Sequence, residues 1–147
     1  WDNAILNCWV AEGEQEFPMT LRTYRIAPGE TNTWYLRVTG TEASATFSTR
    51  YPKTFRTMFY EPGSEQVWGE HSLGYTPPYP TISGGIFEFG FSDSLLQMWA
   101  AFCDELTNGR DGMKQPFYCV SPEETHLQHR VLTAALDSFK QSQIIQL

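Results

Sequence analysis

Three histidines, three cysteines and scattered carboxylates are the side chains of this 147-residue sequence that are able to do chemistry. His126 and His129 are three apart in a segment of helical periodicity, so they face the same way and offer two imidazoles to a metal ion. Two ligands make a weak site, and a solvated polar face is the simpler expectation. His71 stands beside Glu70 in GEHS, which reads as a loop. A general base there needs an oriented partner, which the sequence does not identify. Cys8, Cys103 and Cys119 form an odd set without CxxC spacing, which disfavours a disulfide framework or a zinc site. Cys8 and Cys103 lie among apolar neighbours and read as buried free thiols of a reducing, cytoplasmic compartment. There is no G-x-S-x-G elbow and no G-x-G-x-x-G turn; Gly84, Gly85 and Gly90 lack the spacing. Nothing selects one carboxylate pair over another. No catalytic residue and no metal ligand is therefore assigned.

The elements that must carry these residues are read from periodicity. Length fits one domain, 1–147, and 41% hydrophobic residues suffice for a core. Aromatics reach 15%, a level that favours strands. A net charge of -7 argues against nucleic acid or an anionic membrane surface as partner. No apolar run is long enough to span a bilayer. The N-terminal segment has no basic start and does not read as a signal peptide.

Alternation predicts strands over 2–10, 19–27, 33–39, 45–49 and 54–60, with an acidic turn over 11–18. Gly40 is expected to take a positive φ in the reversal between the third and fourth strands. Short strands are expected at 67–68, 86–91, 117–120 and 144–147. The Pro- and Gly-rich segment 74–85 reads as a loop packed down by Tyr75, Tyr79 and Ile82. A helix capped by Ser92 or Asp93 is expected to bury Leu95, Met98, Trp99, Phe102, Cys103 and Leu106, turning Gln97, Asp104 and Glu105 outward. Asn108 and Gly109 end it. Ser121-Pro122-Glu123-Glu124 is a capping box that opens a second helix, expected to bury Leu127, Val131, Leu132, Ala135, Leu136 and Phe139. Strands first and helices late predict an α+β fold, a single open, mostly antiparallel sheet with two main helices packed on one face. The other face is expected to carry Arg22, Tyr24, Tyr35, Arg37, Arg56, Met58 and Tyr60, residue types enriched at interfaces. A homo-oligomer through that face is the expectation.

The segment 28–49, PGETNTWYLRVTGTEASATFST, also carries a family pattern. With the opening WDNAIL and the later SPEETHLQHRVLTAALDS, it resembles the C-terminal domain of the glucose–fructose oxidoreductase/inositol dehydrogenase (Gfo/Idh/MocA) family over nearly the whole chain. The resemblance implies a nicotinamide-dependent dehydrogenase of sugars or polyols, in which this chain is the substrate-side and oligomerisation domain. NAD or NADP would then belong to an N-terminal Rossmann domain, and this chain would hold no cofactor. The family's Glu-Lys-Pro and D-x-x-x-H elements are also missing here, so the chain reads as a fragment that is not catalytic alone. By the same resemblance Arg25, Glu30, Asn32 and Trp34 would rim a small-molecule pocket for a polyol. A plainer reading pairs Arg25 with a nearby acid and gives Asn32 to the turn. The alternative function is a free-standing carbohydrate- or protein-binding module without enzymatic activity, with Trp1, Trp9, Trp34 and Trp68 able to stack on sugar rings.

Overall fold

Gly13 sets the first hairpin of the protein, seen in a computed structural model. With φ at 63° it takes the first position of a two-residue turn whose next residue keeps a negative φ, the II′ geometry that matches strand twist. The description covers residues 2–74, 77–81, 90–115 and 119–147. Strand β1 (Asn3–Glu12) and strand β2 (Gln15–Tyr24) pair antiparallel from Glu12 opposite Gln15 out to Asn3 opposite Tyr24. The acidic turn is thus far narrower than 11–18. Pro18 lies inside β2, opposite Trp9, and a two-stranded ribbon tolerates it because each strand has an edge unpaired among the described residues.

Four further strands form a second sheet in the order β3 (Tyr35–Thr39), β4 (Ala43–Ser48), β5 (Thr54–Phe59), β6 (Gly69–Ser72), all antiparallel. The α+β class and the open antiparallel sheets agree with expectation, but the strands form two sheets rather than one. The chain divides into two compact units, Trp1–Thr31 with Val120–Leu147, and Asn32–Cys119. Gly40 does not have a positive φ. Its requirement is space, since a Cβ there would stand 3.1 Å from the Ala43 carbonyl oxygen, which already accepts the Gly40 N–H at 2.8 Å. The short strand expected at 67–68 falls at 69–72, which puts His71 in a strand and not a loop. Residues 144–147 form no strand. The expectations at 86–89, 117–118, Tyr75 and Ile82 lie outside the described residues, and Cys119 and Val120 form no strand.

Helix α1 (Phe91–Asn108) begins one residue before Ser92, because Gly90 is its N-cap. Asp93 serves from the first turn, its carboxylate accepting the Gly90 N–H at 2.8 Å. Gly109 ends the helix at φ 72°, donating its N–H to the Glu105 carbonyl. Helix α2 (Pro122–Gln141) has the expected box: Ser121 Oγ accepts from the Glu124 N–H at 3.2 Å, and Glu124 Oε2 accepts from the Ser121 N–H at 2.7 Å.

The helix faces differ from expectation. In α1 the buried positions are Gln97, Ala101 and Asp104, one stripe at helical spacing. Leu95, Met98, Trp99, Phe102, Cys103 and Leu106 are exposed instead. In α2 none of Leu127, Val131, Leu132, Ala135, Leu136 and Phe139 is buried. The reason in α1 is local and polar. The neighbouring loop must satisfy its own backbone groups, and the helix supplies the partners. Tyr79 donates its N–H to Gln97 Oε1 at 2.9 Å and accepts at its carbonyl from Gln97 Nε2 at 3.0 Å.

Candidate functional site

Register places the chemistry-bearing residues on the four-stranded sheet. Leu36 opposes Phe47, Phe47 opposes Phe55, and Phe55 opposes His71, so these residues share one face with Val38, Ala45 and Thr57. The reverse face gathers Tyr35, Arg37, Thr46, Arg56, Met58 and Glu70. Four of the residues expected to lie together on one sheet face therefore do so: Tyr35, Arg37, Arg56 and Met58. Tyr60 follows β5 directly and donates its N–H to the Glu42 carbonyl at 2.7 Å. Arg22 and Tyr24 stand on the hairpin, opposite Ile5 and Asn3, on the face turned away from Leu6, Cys8, Met19 and Leu21.

On this reverse face Arg56 lies directly across from Glu70, and its guanidinium stands 5.9 Å from the Trp68 ring centroid. Arg37 is opposite Thr46 and has no acid directly across from it. The surface thus carries an aromatic ring, a thioether and two guanidinium groups.

The apolar face holds a contact that sequence reasoning missed. Thr57 Oγ1 and His71 Nε2 are 2.6 Å apart, and the His71 ring stacks on Phe55 with centroids 5.1 Å apart. His71 thus has an oriented partner fourteen residues away, found only through strand pairing. Gly69 makes the space, since a Cβ there would lie 3.4 Å from His71 Nε2. A hydroxyl hydrogen-bonded to an imidazole is the first half of a nucleophile–base pair. Its neighbours Phe47 and Phe55 supply no donors for an oxyanion, so the pair reads as a positioned polar contact.

The buried polar cluster of the same unit centres on Asp104. Its Oδ2 accepts from Tyr79 Oη at 2.9 Å and from the Lys114 N–H at 2.8 Å, and its Oδ1 accepts from Asn108 Nδ2 at 2.6 Å. The Lys114 amide, with Asn108 and Tyr79, holds this carboxyl below its ordinary range against the opposing effect of burial. Burial pushes the Tyr79 phenol up to about 12, aided by the hydrogen bond to Asp104. Burial, with Glu105 beside it, also raises the Cys119 thiol, which argues against a reactive thiolate. The cluster pins the loop to the helix.

Arg25 and Glu30 lie in the hairpin unit, and Asn32 and Trp34 in the other. Arg25 donates its N–H to the Asp2 carbonyl at 2.6 Å, extending the ladder of β1 and β2. Glu30 closes a turn with its N–H on Ala27, next to Gly29 at φ 88°. Trp34 is held through its backbone by Thr49, while the residue is 74% exposed. His126 and His129 do share a surface, an open groove of about 500 Å³ lined also by Val120, Pro122 and Thr125. No group of three or more metal-ligating side chains occurs among the described residues. No helix among them is long and apolar enough to cross a membrane.

No family model, no curated protein and no solved structure matches the chain.

Proposed function

We propose that this chain is the substrate-side and oligomerisation part of a nicotinamide-dependent oxidoreductase of sugars or polyols, inactive by itself. The observation that carries the proposal is the clustering of Tyr35, Arg37, Arg56 and Met58 on one face of an open antiparallel sheet. The motif order from TNTW to SPEETH supports it from the sequence side. Association through that sheet face is the first half of the reading, and Arg25, Glu30, Asn32 and Trp34 as the polyol rim are the second.

The expected absence of a cofactor in this chain is part of the proposal. What supports it is that every strand pair among the described residues is antiparallel, whereas a dinucleotide-binding unit joins parallel strands through a helix. NAD or NADP would be held by a preceding Rossmann domain. The test is calorimetry with NADH on this chain and on the longer product of its reading frame. The expected result is binding by the longer product alone. Micromolar binding by the 147-residue chain, or an upstream frame without a Gly-rich fingerprint, overturns the reading.

A second reading, a free-standing carbohydrate- or protein-binding module, is favoured by the exposure of the Trp9 and Trp34 rings. Glycan titration followed by tryptophan fluorescence separates the two at Trp9, which is not on the polyol rim: Trp9→Ala removes the response only if the free-standing module stacks that ring on sugar.

A further inference from the structure

The edge of the four-stranded sheet carries a self-complementary strand. β3 is paired on one side only among the described residues. Its inward hydrogen bonds come from alternate positions. Thr49 donates its N–H to the Trp34 carbonyl at 3.0 Å, and Gly40 donates to the Ala43 carbonyl at 2.8 Å. By the antiparallel alternation, Trp34, Leu36, Val38 and Gly40 bond toward β4, and Tyr35, Arg37 and Thr39 turn their N–H and C=O groups outward. Natural edges of this kind are guarded by proline, bulges or several charges. β3 has no proline and a single charge, Arg37.

We infer that β3 pairs antiparallel with β3 of a second copy of this chain, on a two-fold axis through Leu36. The choice of axis follows from the side chains. An axis through Arg37 sets two guanidinium groups directly opposite each other, which is repulsive. One through Val38 places Leu36 against the partner's Gly40, which offers no side chain to pack. One through Tyr35 slides Val38 out opposite the partner's Asn32. The Leu36 axis packs Leu36 on its equivalent and Trp34 on the partner's Val38, an aromatic–β-branched pair on the apolar face. It also sets Tyr35 opposite the partner's Arg37 on the reverse face, with the ring beneath the cation and the two arginines apart. Tyr35 and the partner's Arg37 then exchange both N–H···O bonds, using the groups that point outward. The exposed rings and methyls of Trp34, Leu36 and Val38 are covered in the same step. This edge contact differs from association through the Tyr35–Met58 face and does not depend on it or on the oxidoreductase reading.

The experiment is a cysteine scan at positions 35 to 38 in a chain with Cys8, Cys103 and Cys119 replaced by serine, oxidised mildly at about 100 μM, above the dissociation constant of a micromolar contact. Leu36 and its mate form a non-hydrogen-bonded pair with Cα atoms about 4.5 Å apart, within disulfide reach. Leu36→Cys should therefore shift from monomer to disulfide-linked dimer. Arg37→Cys and Val38→Cys, whose mates stand more than about 7 Å away, should stay monomeric on a non-reducing gel. Arg37→Pro, which removes an outward N–H and no bond to β4, should return wild type from dimer to monomer mass in light scattering. Circular dichroism on that variant confirms the fold, and Leu36→Cys should still cross-link in a Met58→Glu background, because the edge contact does not use the sheet face. The inference is overturned by a monomeric wild type at this concentration. It is equally overturned by cross-linking that peaks at 35, 37 or 38, or by Met58→Glu dissolving the dimer while Leu36→Cys fails to cross-link.

Discussion

Turning helix α1 inside out is the sharpest test of this structure, and two substitutions on opposite sides do it. Ala101 is 2% exposed, on the stripe with Gln97 and Asp104. Trp99, on the apolar side, is 59% exposed and meets Phe102 edge-on at 5.9 Å. An aromatic side chain buries up to about 250 Å² when fully covered. With four-tenths of Trp99 covered, roughly 100 Å² returns to water on Trp99→Ala, worth about 2.5 kcal/mol at ~25 cal/mol per Å². Alanine's higher helix propensity offsets about 0.5 kcal/mol of this, which leaves about 2 kcal/mol. Ala101→Leu forces three carbons into a closed site and should cost about 1–3 kcal/mol. Urea denaturation followed by circular dichroism reads both. A Trp99→Ala loss of about 3–5 kcal/mol, the cost of emptying a buried aromatic site, together with a neutral Ala101→Leu, would refute the argument. The apolar stripe of α1 would then be the inner one.

The remaining predictions concern caps, a turn and pH. Ser121→Ala removes the side-chain acceptor of the Glu124 N–H and should cost about 0.5–2 kcal/mol in the same assay. Gly109→Ala forces a side chain into φ 72°, ψ 164°, a region almost confined to glycine, and should cost about 1–3 kcal/mol, against little change for Gly112→Ala. The Asp104 carboxyl is held low in the fold, so its contribution is present above the ordinary carboxylate pKa of about 4 and fades as pH falls through the lower folded value. The Tyr79 phenol is held high, so its contribution is complete below about pH 10. It is lost as pH rises through about 12. Urea midpoints across this range should lose their acid-side slope in Asp104→Asn and their alkaline-side slope in Tyr79→Phe; slopes unchanged by either variant would remove the cluster from the account.

Period-2 alternation was enough to place β3, β4 and β5 and to sort Tyr35, Arg37, Arg56 and Met58 from Leu36, Phe47 and Phe55, because successive strand side chains must point to opposite faces. The capping box at Ser121 and the stop at Gly109 were legible for the same kind of reason: both are contacts between residues a few positions apart. Tertiary structure alone decided the rest. Pairing across a sheet brought Thr57 to His71, and no local pattern encodes that meeting. The turn width at Gly13 followed from the ladder continuing through Pro18 rather than from the acidic composition of 11–18. In α1, hydrophobic periodicity pointed to Trp99 and Phe102 as the buried side. The loop's need for hydrogen-bond partners turned Gln97 and Asp104 inward instead. A sequence shows which side chains a helix face carries. Which face is covered depends on what the neighbouring backbone still has to satisfy, and for this helix that was settled by Tyr79 and Lys114.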